Sequence, residues 1–137
     1  MIKIVLNGAP KGKGRPRFVG KGRHPITPAA TRRYESHLKA MARMEMGGRP
    51  PFEGPIELTV NAYMPIPASW PKYKKERARG ENPWHIFKPD MDNIKKMTDA
   101  LNDVVWKDDS QVCRDGGSIK VYSDNPRLEL LIREISA

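Results

Sequence analysis

Residues 88–112 read KPDMDNIKKMTDALNDVVWKDDSQV. Ile94, Met97, Leu101 and Val104 or Val105 recur at spacings of three and four, the period of a helix with one apolar side. A helix is therefore expected from about residue 92 to 104, its apolar side turned towards a sheet. Asp92, Lys96, Asp99 and Asp103 fall on the opposite side. Asp90 and Asp92 flank the start of this helix, and a second acidic pair, Asp108 and Asp109, follows where the chain turns towards the next strand. In a chain of formal net charge +9 this concentration of acid needs a reason.

The flanking segments supply the sheet. Upstream, IELTVNAYM (56–64) alternates Ile56, Leu58, Val60, Ala62 and Met64 with mostly polar neighbours, the period-two pattern of a half-buried strand. Ile2, Ile4 and Leu6 alternate in the same way at the N-terminus. Downstream, SIKVYS and RLELLIREI read as two strands around an Asp124-Asn125-Pro126 turn. In TPAATRRYESHLKAMARMEMGG, Thr27 suits an N-cap, Pro28 the first helical position and Gly47 the stop. Tyr34, Leu38, Met41 and Met44 or Met46 form the apolar stripe of that helix. Glycine, proline and basic residues up to about Pro25 predict no regular element. Residues 65–89, with five prolines and no periodic apolar face, predict a long surface loop, and loops of that length inside compact domains are often functional. The order is β-α-β-loop-α-β-β: an α+β fold, with a mixed sheet of about four strands packed on two helices.

A chain of 137 residues supports one modest core and hence a single domain spanning 1–137, with a basic loop at 8–25 and another at 65–89. Its 38% hydrophobic and 30% charged content fits a soluble globular class. No apolar run approaches a membrane span, so the expectation is a cytoplasmic protein with no membrane partner. Cys113 is the one cysteine, which excludes an internal disulfide, and His24, His37 and His85 lack zinc-ligand spacing. The positive charge is concentrated. Residues 8–24 hold Lys11, Lys13, Arg15, Arg17, Lys21 and Arg23 without an acid, and residues 66–89 hold Lys72, Lys74, Lys75, Arg77, Arg79 and Lys88 against Glu76 and Glu81. Two basic segments are the footprint of a polyanion binder, nucleic acid first among them. GAPKGKG is not a phosphate loop, because three residues rather than four separate Gly8 from Gly12-Lys13, and Gly14 stands where Ser or Thr is required.

Acids repel DNA phosphate unless a cation offsets them. The plainer reading of an isolated D-x-D is a helix cap. A cap needs only one acid, however, whereas a hard divalent cation needs several oxygen ligands, and magnesium held by carboxylates can polarise a phosphate and activate water. Lys96, one turn after Asp92, could then stabilise charge in the transition state, or simply form a surface ion pair with Asp92. The spacing permits Asp108 and Asp109 to return beside the D-x-D pair without requiring it.

The run KPDMDNIKKMTDALNDVVWKDDSQV closely resembles the signature of the RusA family of Holliday-junction resolvases: D-x-D-N, a lysine one turn later, D-A-L, then W-x-D-D-x-Q-V. GAPKGKGRPRF and TPAATRRYE resemble the opening of bacterial and phage members. The resemblance implies catalytic roles for Asp90, Asp92, Lys96 and Asp109. It implies magnesium, for which manganese can substitute, held by Asp90, Asp92 and Asp109 with Asp108 as a weaker candidate ligand. It further implies a two-fold homodimer that nicks four-way branched DNA without a small-molecule cofactor, in recombination and repair. Asn93 and Asp99 belong to the motif as structural or supporting residues. Lys11, Lys13, Arg15, Arg17, Lys72, Lys74, Lys75, Arg77, Arg79 and Lys88 are the candidate DNA contacts. The 65–89 loop, with Trp70, Tyr73, Trp84 and Phe87, departs from the family pattern by elaboration; its aromatics could stack on unpaired bases or tether the loop. The rival readings are a branched-DNA binder without catalysis and a nuclease acting on flaps or forks.

Overall fold

The computed structural model describes residues 1–14, 17–19, 24–26 and 28–136, the two short internal stretches by backbone alone. Among them run β1 (Ile2–Asn7), β2 (Arg17–Val19), β3 (His24–Ile26), α1 (Ala29–Met46), β4 (Ile56–Pro65), α2 (Lys72–Arg79) and α3 (Met91–Lys95). A 3-10 turn (Lys96–Leu101) continues α3, and a second (Asp109–Gln111) leads into β5 (Val112–Asp115), β6 (Ile119–Ser123) and β7 (Arg127–Glu134). The architecture is α+β and the sheet is mixed, as expected. The count is larger than expected among the described residues, with five strands in the main sheet, a separate two-stranded β2–β3 pair and three α-helices.

The main sheet is organised by β4. On one side β4 pairs antiparallel with β7, which pairs antiparallel with β1. On the other, β5 and then β6 pair parallel with successive halves of β4. The Asp124-Asn125-Pro126 turn therefore carries the chain from one flank of β4 to the other. Alternation puts Ile2, Ile4 and Leu6, Ile56, Leu58, Val60, Ala62 and Met64, and Leu128, Leu130 and Ile132 into one buried core. The core is closed by Leu38, Ala42 and Met46 of α1 and by Ile94, Met97, Leu101, Val105 and Trp106. Each large side chain fully buried this way contributes about 1.5–3 kcal/mol before entropy is charged against it. The opposite face carries polar contacts such as Arg133 to Glu57 at 2.9 Å and Arg127 over the Tyr63 ring at 3.9 Å.

Helix α1 starts at Ala29, so Pro28 stands just before the first helical residue instead of occupying it, and Thr27 lies outside the described residues. Gly47 stops the helix in the left-handed region at φ 56, donating its N–H to Arg43 O at 3.2 Å. Met46 is buried, while Met44 is 73% exposed, which decides between the two ends proposed for the stripe.

Four local expectations need correction. Residues 72–79 are helical, not loop: KYKKERAR lacks an apolar stripe, yet it consists largely of good helix formers between Pro71 and Gly80, and burying Ala78 alone is enough to seat it on β6. The basic N-terminal segment contains the short β2–β3 hairpin. β5 is a four-residue, mostly exposed strand whose polar sequence hides it. The helix expected to reach residue 104 tightens after Lys95 and ends at Leu101. Asp103 then adopts φ 64, a conformation that a short polar side chain tolerates, and its N–H donates to Trp106 O at 2.7 Å. This turn drives Trp106 into the core, where its Nε1–H donates to Asn102 at 2.7 Å. No helix among the described residues is long and apolar enough to cross a membrane.

Candidate active site

The segment leading into the acidic pair is held as an added edge on β6. Tyr122 N–H donates to Pro83 O at 2.8 Å, and His85 N–H donates to Lys120 O at 3.2 Å. The Lys120 ammonium reaches over this edge and donates to Phe87 O at 2.6 Å and to Pro89 O at 2.8 Å. Desolvation lowers the pKa of Lys120, and the nearby Asp90 carboxylate opposes that shift. Asp90 is thus delivered to the start of α3 by a backbone gripped at the two carbonyls before it.

Asp90 occupies the N-cap position with extended backbone, but its side chain makes no capping hydrogen bond. Asp92 lies in the first turn with its side chain 78% exposed, 3.4 Å from the Lys96 ammonium. Both acids line an open cleft of about 860 Å³ whose other charged walls are Lys11, Lys13, Lys88 and Lys96. The basic arm is fastened to the acidic helix by main-chain geometry. Lys13 N–H donates to Asn93 O at 3.1 Å, and a Cβ on Gly12 would stand 2.6 Å from Asn93 Nδ2 and 2.9 Å from Pro89 Cβ. Glycine is what lets the arm approach so closely.

The second acidic pair is placed differently. Asp108 caps the 3-10 turn that follows it: Ser110 N–H donates to its carboxylate at 3.1 Å, and its own N–H donates to Gln111 Oε1 at 2.9 Å. Hydrogen bonding from Ser110 holds the Asp108 pKa below its ordinary value. Gln111 completes the latch by donating to Phe52 O at 2.8 Å and Gly54 O at 3.0 Å. Asp109 faces Asp99, and its pKa is raised by desolvation and by the neighbouring charges of Asp108 and Asp99. Lys13 joins the two acidic groups, since it lines the cleft and its ammonium lies 3.6 Å from Asp99. Asp90, Asp92 and Lys96 are therefore brought into one cleft, and Asp108 and Asp109 do not line it. Among the described residues no group of three or more His, Cys, Asp or Glu is arranged to hold a metal ion.

Of the candidate DNA contacts, Lys11, Lys13 and Lys88 stand at the cleft. Arg15 lies outside the described residues, and Arg17 is described by its β2 backbone alone. Lys72, Lys74, Lys75, Arg77 and Arg79 are displayed on α2, with Lys74 4.3 Å over the Trp70 ring and Arg79 bonded to Asp124 at 3.0 Å. Two supporting residues escaped the sequence reading. Lys120 is one, because its strand pattern says nothing about the carbonyls it meets. Asp115 is the other: it accepts from Lys95, from Ser118 N–H at 2.8 Å and from Gly117 N–H at 2.9 Å, tying α3 to the β5–β6 turn. Desolvation works against ionisation of Asp115, and these donors outweigh it, holding the carboxyl well below the usual range.

The model of the family described as endodeoxyribonuclease RusA matches residues 7–133. The chain belongs to the RusA endodeoxyribonuclease family. The matched span includes the basic arm, α2, the D-x-D helix and β7 up to Arg133, so the cleft and every strand of the main sheet except β1 fall within the RusA match. The chain is also 37% identical over 143 aligned residues to the uncharacterized protein YqaN of Bacillus subtilis (strain 168), covering 99% of this chain and 98% of that one. A RusA-family chain is a nuclease by family, and the cleft is where its acids and lysines meet.

Proposed function

We propose that the protein is a magnesium-dependent endodeoxyribonuclease that resolves four-way DNA junctions by paired symmetric nicks, acting as a two-fold homodimer. The observation that carries this reading is Asp90. A carboxylate at a helix N-cap that forgoes the cap and lines a lysine-walled cleft with Asp92 is available for a ligand.

The donor set suits magnesium, which keeps several waters and takes one or two carboxylates together with substrate phosphate, so that two acids suffice. Asp90 and Asp92 would hold it, and when bound it supplies Lewis-acid polarisation of a phosphate oxygen and a more acidic water. Lys11, Lys13 and Lys88 attract and seat the DNA backbone. Lys96, already paired with Asp92, offers its ammonium to charge developing on the phosphate. The contact of Asp109 with Asp99, which the Lys13 ammonium approaches to 3.6 Å, favours a supporting role beside the cleft. Two nicks related by symmetry require two copies of the site, and a four-way junction has matching two-fold geometry.

The test is an end-labelled four-way junction and a matched linear duplex, each with magnesium, manganese or EDTA, for wild type and Asp92→Asn. Paired nicks in the junction alone, absent in EDTA and in the variant, are expected, with junction binding by the variant kept or tightened because one repulsive charge is gone. Junction binding without nicks would leave a branched-DNA binder, and cleavage of flaps or forks in preference to junctions would redirect the substrate.

A further inference from the structure

We propose that Trp84 and Phe87 form a stacking site for an unpaired nucleobase of the strand whose phosphate enters the cleft; this deepens the nuclease reading and rests on it. Trp84, Ile86 and Phe87 are 58%, 81% and 57% exposed, although they sit on a backbone pinned to β6 and to Lys120. Aromatics that tether a loop pack their rings against the core, as buried Tyr122 and half-buried Trp70 do here, edge to face at 5.1 Å. Trp84 and Phe87 instead leave more than half of their surface exposed on a fixed frame, Phe87 meeting only His85 edge to face at 6.1 Å among the ring pairs of the described residues. With Trp70, Tyr122, Lys74 and Arg77 they border a pocket of about 180 Å³, below the roughly 300 Å³ at which small-molecule clefts begin. The space suits one ring system and not a whole nucleotide. Lys74 already covers the Trp70 ring at 4.3 Å, so Trp84 and Phe87 are the rings left to receive a ligand.

Charge selects the occupant. Lys74, Arg77 and nearby Lys88 surround the apolar surface, which opposes a second copy of the same surface and favours a polyanion carrying flat apolar groups. Bases inside a duplex have their faces covered by neighbours, so only an unpaired base offers a face to these rings. Phe87 precedes Asp90 by three residues, at most about 11 Å of extended chain. A strand rises about 3.4 Å per nucleotide, which places the captured base within about three nucleotides of the phosphate at Asp90 and Asp92. Strand opening next to a branch point provides such a base, and an intact duplex does not.

The experiment is done in EDTA, so that no cleavage intervenes. Fluorescence titration compares a thymidine oligonucleotide of about eight nucleotides with an abasic oligonucleotide of the same length, which keeps the phosphates and removes the rings. Wild type is expected to bind the base-bearing strand roughly tenfold more tightly. The Trp84→Ala/Phe87→Ala variant should lose that preference while keeping its affinity for the abasic strand, and Trp84→Phe, which retains a flat ring, should keep most of it. Equal affinity of wild type for the two strands, or a preference that survives the double substitution, overturns the proposal. So does a double variant that dissociates into monomers with its base preference unchanged, which would make the patch a contact between copies. A base preference in a protein that never nicks a junction would sustain this site and sink the nuclease reading; nicking without a base preference would do the reverse.

Discussion

Replacing Lys120 with methionine keeps the length of the side chain and removes the donor that grips the backbone ahead of Asp90. Two hydrogen bonds from an ammonium are lost, at 2.6 and 2.8 Å, each worth about 1.5–3 kcal/mol when one partner is charged. The Phe87 carbonyl is exposed and that of Pro89 only half-buried, so water can reach both in the variant and the lower end applies, about 3 kcal/mol for the pair. Some of that is offset because solvent screens a contact this near the surface. A net of about 2 kcal/mol remains, which corresponds to roughly a 30-fold rise in the opening of the 85–90 segment. Native-state amide hydrogen exchange read by mass spectrometry should show faster exchange in peptides covering these residues and no comparable change in β1, β4 or β7. With Asp90 no longer held against α3, the junction-cleavage kcat should fall more than KM changes, and Lys120→Arg should restore much of both effects. Exchange of the 85–90 segment within twofold of wild type would refute the argument that Lys120 positions the acidic pair. So would an acceleration spread evenly over all strands, which would report global destabilisation instead of local release.

Gly12→Ala should force the basic arm away from the D-x-D helix, because Pro89 cannot yield as the Asn93 side chain can, and urea titration should show a loss of about 1–3 kcal/mol. An unchanged midpoint would show that the arm moves aside without resistance. The Tyr34 hydroxyl is buried without a full hydrogen bond among the described residues, and burial pushes its pKa from 10.0 up to about 12, the Lys11 backbone offsetting only part of that. Between those values the unfolded state binds fewer protons than the folded one, so stability falls as pH rises from about 10 to about 12, by up to about 3 kcal/mol in all. Tyr34→Phe should remove this component and leave stability near neutral pH equal or higher; an alkaline stability profile that does not distinguish the two proteins would contradict it.

Elements with a buried face showed themselves in the sequence and elements without one did not. β1, β4 and β7 alternate because one side meets the core, and α1 repeats at helical spacing for the same reason. α2 escaped because it buries only Ala78, and β5 because it is short and mostly exposed. The early end of the helix at Leu101 escaped for a different reason. Val104 and Val105 are indeed buried, at helical spacing from Ile94, but they reach the core through a turn at Asn102 and Asp103 that hydrophobic periodicity does not register.

The acids divide along the same line. Composition and local spacing were enough to show that the positive charge is gathered in two segments, that Asp90, Asp92 and Lys96 lie within two turns of one another, and that an α+β core carries them, since all three follow from periodicity and charge over a few residues. Tertiary structure alone decided that Asp90 leaves its cap open, that Asp108 becomes a cap and Asp109 turns to Asp99, and that Lys120, thirty residues downstream of Asp90, bonds the backbone just ahead of it. The reason is physical. Hydrogen bonds between segments distant in sequence depend on where β4 brings its neighbours together, and no local pattern of residues encodes that meeting.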